Sequence, residues 1–523
     1  MKAHIVGGGF GGLAAAAFLI RNAGVPGQDI TIYEADERMG GSFALGGSAE
    51  SGYILPCGAV FDSEFRCTFD LLASIPSLTD PAVSVRDEFF TFNERYPFND
   101  RAHVIDRNGN VVLHSPHFGL SLRDGLDLAR LSLTPEAMLD GRRIEEFFSP
   151  RFFTTEFWLL WSTIMGSLPQ HSATEFRRYI NRALALFPDL SDMTNILRTQ
   201  LNQYQAFIEP LVAWLRPRGV NLLTSTFVRD IGLAPSPGRI TVNRLDYERD
   251  GAATSIAVGP EDLVLVTTGS EAADLSVGSM TGAPPPQSRG RSYALWKRLA
   301  AGRTDFGRPD VFFDAARIAD TRWVTFTITT TGPEFIKHLS TLTSSEPGSG
   351  GLVTLKDSPW MLSLSVLHHP EVIDQPPGTN LLWGYGLYPE HEGEFVPKRM
   401  AACTGAEILT ELLRQLRFDK QFDAIMAASI CIPCDLPYVN NVWMPRTRAD
   451  RPRPVPEGST NLGLLGQYVE VPRDVAFTIE YSARTAWEAI RVLLKRGPAP
   501  PPVYQGQYDP KALFNALKVF VCR

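Results

Sequence analysis

Glycine spacing near the start of the chain predicts a phosphate-binding loop. Gly7, Gly9 and Gly12 lie between an apolar segment and a run of small residues. The first glycine allows a tight turn, the second allows a pyrophosphate to approach the backbone, and the third allows close helix–strand packing. The N–H groups and partial positive charge of a helix N-terminus would bind the phosphates. We therefore predict a dinucleotide cradle formed by Gly7, Gly9, Phe10, Gly11 and Gly12.

An acidic residue farther along the chain strengthens this prediction. Residues 31–34 read Thr-Ile-Tyr-Glu, a second strand-like segment that ends in Glu34. In dinucleotide-binding folds an acid about twenty residues after the loop accepts a hydrogen bond from the ribose 2′-OH. An ordinary glycine turn is the alternative for the loop taken alone.

Other segments favour FAD over NAD as the nucleotide. Arg38, Gly41 and Ser42 belong to a glycine-pair segment that continues the cradle in flavin enzymes with two dinucleotide-binding motifs. One buried-strand pattern ends in a turn at Thr268, Gly269 and Ser270, and a later one ends at Gly466 and Gln467 before a helix at 482–494. Such strands commonly return to the nucleotide-binding sheet. An ordinary β–α unit is the alternative for the last segment.

These elements predict an α/β chain with a Rossmann-like flavoprotein fold and two dinucleotide-binding motifs. A chain of 523 residues exceeds what one core usually supports. We expect an inserted substrate domain, a helical lid and a C-terminal helical tail. The expected boundaries are a discontinuous FAD-binding domain at 1–78, 211–275 and 455–495, a mostly helical lid or substrate region at 79–210, a substrate-binding domain at 276–454, and the tail at 496–523.

Composition excludes several classes of protein. The net charge of −7 and the lack of a basic stripe argue against nucleic-acid binding. Cys431 and Cys434 form one Cys-x-x-Cys without a second pair, so we expect core or loop thiols and no metal site. No apolar run is long enough to span a bilayer. The glycine motif starts too early to leave room for a signal peptide, so a cytoplasmic protein is expected.

The tail has an amphipathic pattern. On a helix, one face would carry the apolar residues Leu513, Phe514, Leu517, Phe520 and Val521, with Lys511 and Lys518 away from it. Packing of that face onto the body of the protein is one interpretation. Peripheral contact with a membrane surface is the other.

Several blocks resemble the oleate hydratases, the FAD-containing fatty acid double-bond hydratases of the myosin-cross-reactive antigen family. Besides the glycine motifs, these blocks are residues 67–78, 171–179, 202–204, 353–358, 383–389, 403–405 and 466–472. The resemblance implies addition of water to an isolated cis double bond of a free long-chain unsaturated fatty acid, typically giving a 10-hydroxy product. It also implies that FAD has a structural or electrostatic role and that the reaction is redox-neutral.

Hydration of an unactivated alkene requires an acid beside the double bond. A tyrosine suits this role because it is neutral at pH 7 and its ring can line an apolar tunnel. The resemblance places the family's proton donor at Tyr204, within the Asn-Gln-Tyr block. A core tyrosine with a satisfied hydroxyl is the alternative.

Water activation is where the chain departs from the family. Most members carry Arg-Gly-Gly-Arg-Glu shortly after a Gly-Tyr pair, and that glutamate activates the water. Here the glutamate position is Val60 and the neighbouring arginine is Ala59. Either Asp62 or Glu64 substitutes, or backbone and flavin groups hold the water, or the activity differs. A strand would point Asp62 to the same face as Val60, which makes Asp62 the first candidate.

The resemblance also implies where the fatty acid binds. Tyr438, Asn440 and Asn441 fall in the block where the family has polar residues near the substrate carboxylate, and Gln203 adjoins Tyr204. An Asn-Asn turn is an equally good interpretation of residues 440 and 441.

Three functions follow from these observations. The first is a hydro-lyase that hydrates oleate-like fatty acids. The second is a redox flavoenzyme related to amine oxidases or carotenoid desaturases. The third, suggested by Val60, is a weakened relative that only binds fatty acid or flavin. A monomer is slightly favoured over a homodimer.

Overall fold

The structure, a computed structural model, describes residues 1–98, 101–112, 114–236 and 238–521. Of the residues named in the predicted tail helix, Lys518, Phe520 and Val521 have side chains outside this description.

The strands are numbered in chain order. They are β1 Ala3–Val6, β2 Ile30–Tyr33, β3 Gly46–Ser48, β4 Gly52–Ile54, β5 Ala102–Ile105, β6 Val111–Val112, β7 Asn221–Leu223, β8 Thr226–Leu233, β9 Val242–Arg249, β10 Ala252–Ala257, β11 Leu263–Thr267, β12 Ser276–Val277, β13 Trp323–Thr330, β14 Leu352–Leu355, β15 Leu362–Val366, β16 Asn380–Gly386, β17 Ser429–Leu436 and β18 Leu462–Leu465.

The α-helices are numbered in the same way. They are α1 Phe10–Ala23, α2 Arg66–Leu72, α3 Val85–Arg95, α4 Leu122–Leu133, α5 Glu156–Met165, α6 Ala173–Ala183, α7 Glu209–Leu215, α8 Arg291–Ala300, α9 Ile318–Thr321, α10 Glu334–Thr343, α11 Gly405–Gln415, α12 Phe422–Ala428, α13 Ile479–Leu494 and α14 Pro510–Val521. A π-helical turn, Tyr204–Ile208, precedes α7.

A parallel sheet forms the nucleotide-binding half of the fold. Its strand order is β18-β11-β1-β2-β7, and every pairing is parallel. The predicted returning strands at 262–270 and 461–467 therefore join this sheet, as β11 beside β1 and β18 beside β11. α1 is buried along most of its length and packs against α13. Its alanines allow this close approach because they add little volume. The predicted α/β class with a Rossmann-like sheet is confirmed.

A second, mostly antiparallel sheet faces the substrate side. Its order is β12-β17-β13-β16-β15-β14-β5-β6, with only β14 and β5 parallel among its described pairs. β13 is buried at every position, which explains its continuous run of apolar and threonine residues. Cys431 and Cys434 are buried on β17. The segment predicted to be mostly helical, 79–210, also supplies β5 and β6 to this sheet.

An aromatic core joins the helical region to this sheet. Phe152, Phe157, Trp161 and Phe176, on α5, α6 and the turn before them, are fully buried and contact one another. The predicted helical region is thus built around its own aromatic residues, and one wall of it faces the cavity described below. The domain boundaries given above remain a prediction.

α14 begins at Pro510 and packs through Ala512 and Ala516, which are buried. Leu513, Phe514 and Leu517 stay exposed on its other side. Within the described ranges, no helix combines the length and apolar composition needed to cross a bilayer.

Candidate functional site

A cavity of about 550 Å³ runs from the glycine loops of the parallel sheet to the face of the antiparallel sheet. Gly9 and Gly41 line one end, and the side chains of Trp323, Trp383 and Tyr385 line the other. One continuous space therefore connects a polar, backbone-rich region with an aromatic, apolar one.

Backbone geometry at the first end requires the glycines. A Cβ atom on Gly7 would lie 2.1 Å from Oγ1 of Thr267, and one on Gly12 would lie 1.9 Å from the Gly7 carbonyl oxygen. Gly9 caps α1 with no side-chain hydrogen bond. The first N–H groups of α1 are thus left for a ligand in the cavity, as expected of an anion site.

The second glycine segment closes onto the first. The Gly40 N–H donates to the Gly8 carbonyl at 3.0 Å, and a Cβ on Gly41 would lie 3.2 Å from the Cα of Gly9. This contact places residues 40–42 beside the N-terminus of α1. The predicted continuation of the cradle is therefore formed by direct backbone packing.

Glu34 lies at the carboxyl end of β2 and lines the cavity. Its carboxylate accepts hydrogen bonds from the N–H groups of Gly8, at 2.6 Å, and Asp36, at 2.9 Å. Burial raises its pKa to about 7, against the opposing effect of these hydrogen bonds. The carboxylate is held next to the glycine loop, where it can accept from a ribose hydroxyl.

Most of the residues predicted to bind the cofactor line the cavity. They are Gly7, Gly9, Phe10, Gly11, Glu34, Gly41, Ser42, Gly269, Ser270, Gly466 and Gln467. Gly12, Arg38 and Thr268 are not among the lining residues. Gly12 serves close packing against Gly7, Arg38 is exposed, and the buried Thr268 hydroxyl donates to the Leu465 carbonyl. The residues present fit a dinucleotide such as FAD.

Helix α6 carries one face of charged residues that fix its position. Glu175 accepts from Arg446 and Arg451, and Arg178 pairs with Glu136 and Glu470. Burial would raise the pKa of Glu175, but Arg451 and Arg446 hold it at about 2. These pairs tie α6 to the segments before and after β18.

Tyr179 lies one turn after Glu175 on α6 and lines the cavity. Its ring stacks on Trp443, with centroids 5.7 Å apart, and meets Trp161 edge-on at 5.6 Å. Burial raises the pKa of its hydroxyl above the ordinary value, with a further contribution from Asp62. The phenol is therefore neutral at physiological pH.

Three tyrosines line the described cavity: Tyr33, Tyr179 and Tyr385. The Tyr33 hydroxyl is hydrogen-bonded to Nδ1 of His4, and the Tyr385 hydroxyl donates to the Thr163 carbonyl. The Tyr179 hydroxyl makes no hydrogen bond to the described part of the chain. It is the cavity phenol whose proton is available to a ligand.

Tyr204, the proton donor that the family resemblance implies, lies in a different place from Tyr179. It begins the π-helical turn, and its ring packs on Gly40, where an added Cβ would lie 3.0 Å from the ring. It is not among the lining residues, whereas its neighbour Gln203 is. Burial raises the pKa of Tyr204, with a contribution from Glu209.

Val60 lines the cavity and Asp62 does not. Asp62 accepts from Nε of Arg182 at 3.2 Å and from the Glu64 N–H at 2.7 Å. Residues 55–60 form no strand, so the expectation that Asp62 faces the same way as Val60 is wrong. Glu64 pairs with Arg66. Neither acid is brought to the space beside Val60.

Tyr438, Asn440 and Asn441 are buried outside the cavity lining. The Asn440 amide donates to the Gly166 carbonyl at 2.7 Å and the Asn441 amide to the Phe312 carbonyl at 3.1 Å. Residues 437–440 form a turn. The structure therefore matches the turn interpretation of the Asn-Asn pair, because the amide donors are already used.

Two cavity residues carry chemistry that the sequence did not single out. Arg198 lines the cavity, is substantially buried and makes no ion pair with a carboxylate of the described residues. Burial lowers its pKa to about 10. Glu271 directly follows the predicted turn at 268–270 and also lines the cavity. An acid at the carboxyl end of a parallel strand was the available signal for Glu271, since functional groups gather there.

Comparison with known proteins identifies the family. The model of the MCRA family matches residues 1–491. The chain belongs to the MCRA family. It is 34% identical over 526 residues to the oleate hydratase of Streptococcus pyogenes serotype M49 (strain NZ131), covering 99% of this chain and 89% of the relative. The predicted family resemblance is confirmed.

A second MCRA relative is the linoleate hydratase of Lactiplantibacillus plantarum. It is 30% identical over 562 residues, which cover 99% of this chain and 98% of the relative. Like the streptococcal relative, it aligns with almost the entire chain.

Solved structures share the fold at low identity. Cyclohexylamine oxidase from Brevibacterium oxydans IH-35A has a TM-score of 0.54 and 14% identity, over 94% of this chain and 98% of that one. An oxidoreductase from Methanosarcina mazei has a TM-score of 0.50 and 13% identity, over 94% and 100%. This similarity concerns the fold alone and carries no inference about redox chemistry here.

Proposed function

We propose that this MCRA protein is a fatty acid hydratase, a hydro-lyase that adds water to an isolated cis double bond of a free long-chain fatty acid such as oleate. The observation that carries the proposal is the cavity, which joins the glycine cradle to an apolar end that presents one uncommitted phenol. Both curated relatives are named as hydratases of such acids. A 10-hydroxy product is the specific outcome we propose for oleate.

Tyr179 is the acid we propose for the reaction. Its hydroxyl faces the cavity and is not engaged by the described residues, and its ring is fixed between Trp161 and Trp443. Protonation of one alkene carbon leaves positive charge at the other, where water adds. Tyr204, which packs on the Gly40 turn, is the alternative donor and is tested against Tyr179 below.

Arg198 is the anchor we propose for the substrate carboxylate. Its Nη1 donates to the Gly348 carbonyl at 2.6 Å, and its buried Nε has no hydrogen-bond partner in the described structure. Burial raises the pKa of the nearby Glu371 well above its ordinary value, and the Arg198 charge opposes that rise. Each buried methylene of the acyl chain would add about 0.8 kcal/mol to binding.

FAD is the cofactor we propose. Gly9, Gly11 and the N-terminus of α1 would hold its pyrophosphate, Glu34 its ribose, and Gly41, Ser42 and Gly466 the remainder. When bound, FAD would supply shape and electrostatic stabilisation to the reaction space without a net exchange of electrons.

Peripheral membrane contact through α14 is a further part of the proposal. The exposed apolar side of α14 is accompanied by exposed leucines on α4, since Leu122, Leu126 and Leu133 are 83%, 71% and 79% exposed. Both elements meet α6 at Asn181, which Ser132 of α4 and Gly506 of the tail contact. Such a surface suits an enzyme whose substrate partitions into lipid.

The test is an assay of purified protein with FAD, added reductant and oleate. We expect hydroxy fatty acid by mass spectrometry, no stoichiometric oxygen consumption and no substrate-linked bleaching of the flavin. Bleaching with oxygen uptake would instead support the redox alternative, and flavin binding without any product would support the binding-only alternative.

A further inference from the structure

Glu271 is a carboxyl group in the wall of the described cavity. It lies just past the carboxyl end of β11, in a turn where the Ser270 hydroxyl accepts from the Ala272 N–H at 3.1 Å. Its side chain is half-buried and lines the cavity. The Gln467 amide donates to one carboxylate oxygen, Oε1.

Neutral titratable groups surround this carboxyl. Glu271 contributes to the raised pKa values of Cys57, Tyr179 and Tyr468, which lie on three other segments. Burial raises the pKa of Glu271 itself to about 8, and the Gln467 hydrogen bond opposes that rise only in part. No described cation pairs with Glu271. The other ionisable groups of the cavity wall are Tyr33, Glu34, Asp36, Arg198, Asp274, Arg289, Arg291, His368, Glu371 and Tyr385.

The proposed hydration needs a group that activates water. The position where most of the family has the water-activating glutamate is Val60 in this chain. Val60 faces the cavity but can neither hold nor deprotonate water. Asp62, the substitute expected from the sequence, is paired with Arg182 outside the lining. Glu271 is thus the acidic side chain that both opens into the cavity and interacts with Tyr179.

We infer that Glu271 holds the attacking water and accepts its proton, as the general base of the hydration proposed above. The π electrons of the alkene take the proton of the Tyr179 hydroxyl to form a C–H bond. The water oxygen forms a C–O bond to the other carbon, and one water O–H proton passes to the Glu271 carboxylate. Atoms and electrons balance, and no oxidant or reductant is consumed.

The two residues then return to their starting states. After one turnover Tyr179 is a phenolate and Glu271 is a carboxylic acid. Transfer of the proton from Glu271 to Tyr179 is downhill, because the pKa of a tyrosine is above that of this carboxyl group. An elevated pKa also makes Glu271 a stronger base than an exposed carboxylate.

The first test is the pH dependence of kcat/KM for the wild-type holoenzyme with oleate. Because the base must be ionised, the rate should rise about tenfold per pH unit below an apparent pKa near 8 and then level off. A rate that is flat between about pH 6 and pH 9 would overturn the assignment even if no variant folded.

The second test is Glu271→Gln, which keeps the shape and can still accept from Gln467. We expect kcat to fall by about 10²–10⁴-fold. The rise of the rate with pH below the apparent pKa, here called the pH limb, should disappear, and flavin absorbance should be retained. A variant that keeps the wild-type rate and limb would contradict the role of Glu271. The inference rests on the proposed function, and the two fail differently: a wild-type protein that forms no hydroxy acid refutes the function, whereas an active Glu271→Gln variant refutes only the base.

Glu488→Gln is the matched control. Glu488 is a partly buried carboxyl on α13 whose pKa burial raises to about 7, but it does not line the cavity. Its variant should keep both the rate and the pH limb. Loss of the limb in Glu488→Gln would assign the titration elsewhere and overturn the inference.

Discussion

The difference between two tyrosines can be tested at the scale of single residues. Tyr179→Phe removes an uncommitted hydroxyl from the cavity wall, so kcat should fall by about 10²–10⁴-fold. Tyr204→Phe should change kcat by less than about threefold, because that ring packs on Gly40 outside the lining. Product formation and flavin absorbance should be measured for both variants. The reverse order of effects would restore Tyr204 as the donor.

Arg198 gives a prediction about binding. Arg198→Met keeps much of the apolar stem and removes the charge-assisted hydrogen bonds, so KM for oleate should rise by about 10–100-fold. The kcat should stay within about twofold, since the anchor lies apart from the reacting atoms. Methyl oleate is the control substrate because it lacks the anion. A variant that loses affinity equally for oleate and the ester would argue against an anchor.

Individual residues were predictable where backbone geometry constrained them. Gly7, Gly9 and Glu34 follow from a strand–turn–helix pattern whose spacing leaves few alternatives. Asn440 and Asn441 did not follow in the same way, because a sequence does not reveal that an amide is already used by a backbone carbonyl. Tyr179 lay inside a block that carried the resemblance, but only the packing of α6 shows that it opens into the cavity.

At the scale of elements, α6 depends on its ion pairs. Glu175→Gln leaves Arg451 buried without its carboxylate and Arg446 with Glu470 as its remaining ion-pair partner, so the protein should lose about 3–5 kcal/mol of unfolding free energy at pH 7. The measurement is denaturant unfolding followed by circular dichroism, with Glu346→Gln on an exposed segment as the control. Unchanged stability in Glu175→Gln would show that the network does not hold α6.

The low pKa of Glu175 predicts how the free energy of unfolding changes in acid. The pKa of Glu175 is about 2 in the folded protein, below the ordinary value of about 4.3, so its stabilisation is present above the unfolded pKa. That stabilisation should be lost as pH falls from about 4.5 towards 2. The Glu175→Gln variant should show a smaller loss over this window than the wild type.

Secondary structure was predictable where a strand led into a turn or helix of the nucleotide-binding half. β1, α1, β11, β18 and α13 are of this kind. The stretch at 55–62 was not, because a short alternating segment reads as a strand while its actual conformation is set by packing against β13 and α6. β5 and β6 join a sheet whose other strands begin only at Ser276, far along the chain, and local patterns carry no signal for such pairing.

At the scale of the whole molecule, the apolar surfaces of α4 and α14 predict lipid binding. Leu513→Ser combined with Leu517→Ser should lower sedimentation with phosphatidylglycerol vesicles at least about fivefold, because two exposed apolar side chains leave the interface. Activity on oleate below its aggregation concentration should be kept. Undiminished sedimentation would mean that these leucines do not contact the bilayer.

The arrangement of the two sheets around one cavity would let the chain combine the proposed nucleotide site with the proposed fatty acid site. The parallel sheet supplies backbone donors and Glu271 at its carboxyl edge, and the antiparallel sheet supplies the aromatic wall. Tyr179 comes from the helical region between them. Each part of the proposed chemistry therefore arises from a different segment of the sequence.

The central claim is that this cavity adds solvent water to a fatty acid double bond, and one measurement tests it most directly. Flavin-loaded protein is incubated with oleate in water enriched in ¹⁸O, and the product is analysed by mass spectrometry. The account predicts a hydroxy acid that carries one oxygen atom from solvent in its new hydroxyl group. Two results would contradict it. One is a product whose new oxygen comes from O₂, and the other is oleate recovered unchanged although it saturates the flavin-loaded protein.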